Sequence, residues 1–245
     1  MEILDSIETL RALRGQLAGR VGLVPTMGAL HEGHLSLVSE ARAENDHVLV
    51  TIFVNPTQFG PNEDFNSYPR NLEADTRLLQ SAGADYVFTP TPSMMYPDGY
   101  QTYIENGEVA SGLEGARRAG HFRGVATVVA KLFNLTHSHR AYFGQKDAQQ
   151  VAVIRRMVHD LNFPIEIIPC PIVREPDGLA MSSRNAYLTR PERAAASVLY
   201  RALKAAGARY DAGERHPEAL RQTVREVIAQ ESLATLDYVS AADSC

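Results

Sequence analysis

Residues Val21 to Val24 and Val48 to Val54 form apolar, β-favouring runs that lack the apolar–polar alternation of a half-exposed strand. A strand of that kind is buried on both faces. Between the two runs lies Pro25 to Gly33, a loop with two glycines, followed by Leu35, Leu37, Val38 and Ala41 at helical spacing. Strand, loop, helix, strand is the unit that joins parallel neighbours, because a parallel pair needs a crossover. Further strands are expected at 86–88, 141–143 and 165–168, separated by helical stretches at about 71–82, 124–136 and 147–160. Upstream, Ile3, Ile7, Leu10, Leu13 and Leu17 predict a helix that stops near Gly19. The expected fold is α/β: a doubly wound parallel sheet with helices on both faces.

Two segments carry no period: 55–70, with Pro56, Gly60, Pro61 and Pro69, and 89–120, which is rich in Pro and Gly. Irregular stretches of that length in compact domains commonly carry function, so both are candidate lids or subunit contacts. Beyond Pro171 the chain turns to two Ala- and Arg-rich amphipathic helices, the second marked by Leu220, Val224, Val227 and Ile228, then a strand-like Leu236 to Val239. A boundary near 172 is expected. It separates a Rossmann-like α/β domain (1–172) from a smaller C-terminal α+β domain (173–245).

Among 245 residues the formal net charge is −5, which argues against a protein that coats nucleic acid. Any anion site must then be locally basic. Cys170 and Cys245 are too far apart in sequence to be read as a metal or redox motif. No apolar run has the length of a membrane span, and Met1 to Asp5 have no basic leader, so the expectation is a cytoplasmic chain without membrane partners.

Three segments offer chemistry. Pro25-Thr26-Met27-Gly28-Ala29-Leu30-His31-Glu32-Gly33-His34 runs from a strand end into a helix, where free N–H groups and close backbone approach suit a phosphate. His31 and His34, three apart, share one side of the first turn and can donate to phosphate oxygens as charge moves onto a leaving group. Alone, two such histidines read as surface residues; strand, glycines and helix in order favour the ligand reading. As a metal pair they lack a third ligand nearby, since Glu32 projects elsewhere. Gly144-Gln145-Lys146-Asp147-Ala148-Gln149-Gln150 again follows a strand. There the glycine permits a tight turn and Lys146 projects a point charge, while Asp147 either caps the helix or meets ligand, and Gln150 suits an uncharged polar group. Met181-Ser182-Ser183-Arg184-Asn185 supplies hydroxyl and guanidinium donors, though the same composition is common in turns and caps.

Together these segments resemble the pantothenate synthetase (pantoate–beta-alanine ligase) family, within the nucleotidyltransferase superfamily. His31-Glu32-Gly33-His34 is similar to that superfamily's His-x-Gly-His signature and Met181 to Arg184 to its second signature. More specific are Phe53-Val54-Asn55-Pro56-Thr57-Gln58-Phe59, Tyr68-Pro69-Arg70, Gly120-His121-Phe122-Arg123-Gly124-Val125 and Tyr142-Phe143-Gly144-Gln145-Lys146-Asp147. The resemblance implies ATP-dependent ligation of pantoate and beta-alanine through a pantoyl-adenylate. It implies ATP contacts at Met27, Gly28, Ala29, Leu30, His31, Glu32, Gly33, His34, Gly144, Gln145, Lys146, Asp147, Val173, Met181, Ser182, Ser183 and Arg184. It also implies pantoate contacts at Gln58 and Gln150, with Gln58 near beta-alanine. His34, with His31, Lys146 and Arg184, would be catalytic, Asp75 would face Mg2+, and the enzyme would be a homodimer. Gln145 stands where the family usually has Glu, and the C-terminal domain reads as shortened at Cys245. Two alternatives remain from the residues alone: transfer of a nucleotide to a phosphate substrate, and a nucleotide- or RNA-binding module without chemistry.

Overall fold

The computed structural model describes residues 1–241, which divide into two compact units, Met1–Ile172 and Val173 onward. The first unit runs β1 (Glu2–Leu4), α1 (Ile7–Gln16), β2 (Val21–Thr26), α2 (Glu32–Glu44), β3 (His47–Ile52), α3 (Leu72–Ser81) and β4 (Tyr86–Phe88). It continues with α4 (Pro92–Met95), α5 (Glu114–Arg117), α6 (His121–Thr136), β5 (Arg140–Gly144), α7 (Ala148–Asp160) and β6 (Glu166–Cys170). The six strands lie in the order β1-β4-β3-β2-β5-β6 and every pair is parallel.

Alternate residues of each strand enter opposite cores, which is why the strands read as unbroken apolar runs. Val21 and Leu23 of β2, Leu49 of β3, Phe88 of β4 and Ala141 and Phe143 of β5 meet Leu10, Val125, Val129, Phe133, Ile154 and Met157 from α1, α6 and α7. Val24, Val48, Val50, Val87 and Tyr142 face the other way, against Leu37, Val38 and Ala41 of α2 and Leu79 of α3.

β2 pairs with β3 along its whole length, from Val21↔His47 to Thr26↔Ile52, but with β5 only at Gly22↔Arg140 and Leu23↔Ala141. Pro25 sits in this central strand, where a residue without N–H normally breaks a ladder. Val21 C=O accepts from His139 N–H on the β5 side, and Thr26 C=O accepts from Phe53 N–H on the β3 side. By alternation Pro25 faces β5, beyond the last paired residue, so no ladder bond is lost. Pairing between the two strands stops there, at the point where the strand order reverses, which is where open α/β sheets have the crevice that binds ligands.

Three expectations are corrected. Ile3 belongs not to α1 but to β1, paired with Val87; Ser6 caps α1 afresh, its Oγ accepting from Thr9 N–H at 3.1 Å. α6 begins at His121, after Gly120 at φ 79°, so Gly124 is a helical residue and not a start. Leu236 to Val239 form no strand: Leu236 and Val239 pack on the helical cluster of Ala202, Val224 and Ile228, with no neighbouring strand to pair with.

The second unit begins with a turn closed by an antiparallel bridge between Arg174 and Ala180, with Gly178 at φ 93°. It continues through a 3-10 turn (Ser183–Tyr187), α8 (Arg190–Ala196), α9 (Val198–Asp211) and α10 (Pro217–Ile228). Among the described residues it holds no strand beyond that bridge; Ala202 and Ala206 of α9 pack against Val224, Val227 and Ile228 of α10. Cys170 is a buried thiol, and Cys245 lies outside the described residues. No described helix is long and apolar enough to cross a membrane.

Candidate active site

At the C-terminal end of β2, Thr26 turns its hydroxyl back to donate to Thr51 C=O at 2.7 Å, and the same oxygen accepts from Gly28 N–H at 3.3 Å. Gly28 (φ 82°) and Ala29 (φ 51°) are then both left-handed. Glycine adopts that conformation freely and alanine does not. The turn is held by Asp75 in the first turn of α3: its Oδ2 accepts from Ala29 N–H at 2.9 Å and its Oδ1 from Leu30 N–H at 2.8 Å. Asp75 is only 3% exposed. Each carboxylate oxygen thus accepts one bond from the loop, so the side chain expected to face Mg2+ is turned toward the backbone of the turn. The same bonds take up two N–H groups that the sequence assigned to a phosphate.

α2 starts immediately after, and its cap is made of the two histidines. His31 Nδ1 accepts from Gly33 N–H at 3.1 Å, while His34 Nδ1 accepts from His31 N–H at 3.4 Å, a reciprocal capping box. Since both acceptors must be unprotonated nitrogens, each neutral ring carries its proton on Nε2. The rings lie 4.1 Å apart between centroids, tilted by 43°. Burial, then His31, then Lys146 push the His34 pKa down to about 3. His34 is therefore a neutral N–H donor at physiological pH and not an imidazolium. With Nδ1 occupied, the pair is also poorly disposed for a metal, and the described residues contain no group of three or more His, Cys, Asp or Glu able to hold one.

The effect of Lys146 on His34 brings the second segment to the first. β5 ends at Gly144, and a 3-10 turn (Gln145–Asp147) leads into α7. Gly144 has φ −73° and a Cβ there would meet nothing within 4 Å, so the tight-turn argument for this glycine fails. Asp147 makes no capping bond to α7; it pairs with Lys146, Oδ1 to Nζ at 3.2 Å. Gln145 is exposed. Gln150 is half-buried and its amide bonds to nothing among the described residues, whereas its neighbour Gln149 accepts from Glu114 N–H at 3.0 Å and donates to Val109 C=O and Gly112 C=O at 3.1 and 2.8 Å.

Gln58 sits in a 3-10 turn (Pro56–Gln58) beyond β3, and its Nε2 donates to Met27 Sδ at 3.2 Å. The turn is organised by Asn55, which is 1% exposed. Asn55 Nδ2 donates to Gln58 Oε1 at 3.0 Å and Gly124 C=O at 3.2 Å, while its Oδ1 accepts from Tyr96 OH at 2.8 Å and Thr57 Oγ1 at 3.0 Å. Burial pushes the Tyr96 pKa up to about 12, so it remains a donor. On the other side, Arg118 donates to His121 Nε2 at 3.2 Å, which leaves the His121 proton on Nδ1 for Gln58 C=O at 2.9 Å. Arg118 also holds Glu63 with two bonds, of 2.8 and 2.5 Å. Asn55, Tyr96, Arg118, His121 and Gly124 were not singled out from the sequence as site residues. A glycine in a helical stretch was the available signal for Gly124.

In the second unit, Val173 C=O accepts from Met181 N–H at 3.0 Å, and Ser182 Oγ accepts from Arg184 N–H at 3.3 Å. Ser182 thus caps the Ser183–Tyr187 turn, the structural role its composition allowed.

The model of the pantoate-beta-alanine ligase family matches residues 2–245. The pantothenate synthetase of Roseiflexus castenholzii is 64% identical over 243 residues, 99% of this chain and 87% of that protein. That of Herpetosiphon aurantiacus is 58% identical, over 99% and 88%. A crystal structure of pantothenate synthetase from Thermus thermophilus superposes with a TM-score of 0.90 at 49% identity, covering 95% of this chain and 83% of that one. Pantoate-beta-alanine ligase from Francisella tularensis, complexed with beta-gamma ATP and beta-alanine, gives 0.81 at 41% identity, covering 93% and 86%.

Proposed function

The chain belongs to the pantoate-beta-alanine ligase family, and from that premise we propose that the crevice beyond β2 and β5 is where it joins pantoate to beta-alanine at the expense of ATP. A carboxylate does not acylate an amine in water, because its oxygen is a poor leaving group. In the first step a pantoate carboxylate oxygen bonds the α-phosphorus as the bond to the bridging oxygen breaks, and pyrophosphate leaves. In the second, the neutral amine of beta-alanine bonds the acyl carbon as the acyl–oxygen bond breaks, AMP leaves, and the amine's proton passes to solvent.

The observation that carries the reading is the pair of neutral imidazoles with Nε2–H donors, set beside Lys146 at the switch point. Fixed dipoles of this kind stabilise charge as it develops on the departing pyrophosphate without reorganising. Lys146 supplies the formal positive charge, and the family likeness alone supports Ser182, Ser183 and Arg184 as phosphate donors, as a proposal. Pantoate's uncharged hydroxyls suit amides, and Gln58 is held ready by Asn55 and Met27 while Gln150 keeps its amide uncommitted. That neutral lining is a poor receptor for a substrate phosphate and speaks against the nucleotide-transfer alternative. Magnesium is proposed to enter with ATP, held by its phosphates, consistent with the ion's habit of keeping few protein ligands. The family likeness also supports a homodimer and a cytoplasmic location as proposals, the first open to sedimentation equilibrium.

The test is to incubate the protein with ATP, magnesium and pantoate, with and without beta-alanine, following AMP and pyrophosphate–ATP exchange. Exchange without beta-alanine and stoichiometric AMP with it are expected. Formation of ADP, or amide formation with no exchange although pyrophosphate binds, would defeat the adenylate route.

A further inference from the structure

We infer that Asp75 is a positioning residue: an internal anion that occupies the concavity of the Gly28–Leu30 turn and so sets the two catalytic-loop histidines, and not a ligand of magnesium. The turn needs such an anion. Successive N–H groups exposed on the inside of a turn can converge on one point, and concavities of this kind bind anions. Here the amides of Ala29 and Leu30 converge on the Asp75 carboxylate at 2.9 and 2.8 Å, one to each oxygen. Gly28 lies against the same group, since a Cβ there would be 3.0 Å from Asp75 Oδ2 and 3.1 Å from Ile52 Cγ2. Ala29 is held at φ 51° although alanine disfavours that region. The strain persists because the two bonds over-determine it.

The consequence reaches His31 directly, because Leu30 is its neighbour and His31 is the cap of α2. The cap fixes both rings: Gly33 N–H is held by His31 Nδ1, and His31 N–H by His34 Nδ1. Release of the Leu30 amide frees the peptide that leads into His31, and the reciprocal pair loses its register. Asp75 reaches the loop from 46 positions away in sequence, on a helix that starts with its own cap at Asn71. A magnesium ligand would instead present an oxygen to an ion arriving with ATP, whereas each oxygen of Asp75 is aimed at a loop amide and the residue is 3% exposed.

The reading rests on the proposed ATP site, so the experiment includes a ligand-free readout. Imidazole 15N spectra of the ligand-free enzyme report the tautomers of His31 and His34, and calorimetry reports ATP binding. Wild type is expected to show both rings protonated at Nε2. Asp75→Ala should mix the tautomers of both rings and weaken ATP by roughly tenfold or more, while the magnesium concentration for half-maximal exchange stays unchanged. Asp75→Asn keeps one acceptor and offers a donor to the other amide, so it should fall between the two and serves where the alanine variant does not fold. Unchanged imidazole spectra in both variants would overturn the inference. A raised magnesium requirement with unchanged spectra would overturn it in favour of the metal role. Failure of wild type to bind ATP would sink the proposed site while leaving the tautomer test standing.

Discussion

Gly124 lies one turn into α6, where the helix passes the Pro56–Gln58 turn, and replacing it with alanine tests how Gln58 is placed. A Cβ at 124 falls 2.5 Å from the Thr57 carbonyl carbon and 2.7 Å from Gln58 Cα, and nearer still to the Thr57 oxygen. All three are backbone atoms, so no rotamer change relieves the clash. Ordinary contact begins near 3.4 Å, and the turn must therefore retreat by about 1 Å, the Thr57 oxygen setting the limit, an overpacking that costs about 1–3 kcal/mol. Alanine returns about 1 kcal/mol through helix propensity. The difference, about 0–2 kcal/mol, lowers the melting temperature by a few degrees and leaves the fold standing. Function is hit harder. The shift stretches the bond from Asn55 Nδ2 to Gly124 C=O and that from His121 to Gln58 C=O, and a recognition amide displaced by nearly 1 Å loses on the scale of ~10²-fold. Steady-state assays of AMP release should show kcat/KM for pantoate down by roughly 10–100-fold with KM for ATP nearly unchanged. Wild-type kcat/KM for pantoate in a folded Gly124→Ala enzyme would refute this account of the turn, and equal losses for ATP would refute its selectivity.

Three other outcomes are expected. The His34 pKa is depressed to about 3 in the fold, so between about pH 6.5 and 3 the unfolded chain binds the extra proton and stability falls as pH falls. His34→Gln should lose part of that acid sensitivity, by at most about 1.4 kcal/mol per pH unit in denaturant titrations, and an identical pH dependence in both proteins would contradict the neutral-donor assignment. Gln150→Ala should leave the melting temperature unchanged while raising KM for pantoate, because its amide bonds nothing in the protein, whereas Gln58→Ala should also unfold earlier; a stability loss at Gln150 would show a partner in solution. Arg118→Met leaves Glu63 without its two bonds, and limited proteolysis should then cut within 59–66 faster than in wild type. Equal cleavage rates would mean that other contacts hold that segment.

The sheet was legible because strands buried on both faces leave unbroken apolar runs, as Val21–Val24 does. β1 was not, since three residues carry no period and Ile3 falls by chance on the helical spacing of Ile7 and Leu10. Leu236 to Val239 had strand composition without a strand to pair with, and pairing is decided by neighbours that composition does not show. In the candidate site, the grouping of His31, His34 and Lys146 was legible by residue type at strand ends. The support beneath them was not: Asp75 reaches the loop across 46 positions, and Asn55 and Gly124 meet across 69. Gly144 and Asp147 were read by local rules for turn and cap, and at both the local rule does not apply. Gln149 and Gln150 are identical in type and adjacent, yet one ties down the backbone of 109–114 and the other points no bond at the protein.

Pro25 has a consequence for synthesis of the chain. β2 gains its β5 neighbour only when Arg140 and Ala141 have been made, well over a hundred residues after Gly22 and Leu23. At about 5–20 residues per second, the ribosome leaves that edge of the central strand bare for roughly 6–24 s. A bare apolar edge in a crowded cell is a template for other nascent chains. Gly22 at one end and Pro25 at the other shorten the stretch that a stray strand can zip onto, and Pro25 withholds a donor on the side that stays open. The residue that falls where β2 and β5 no longer pair also keeps the unfinished sheet from recruiting the wrong partner.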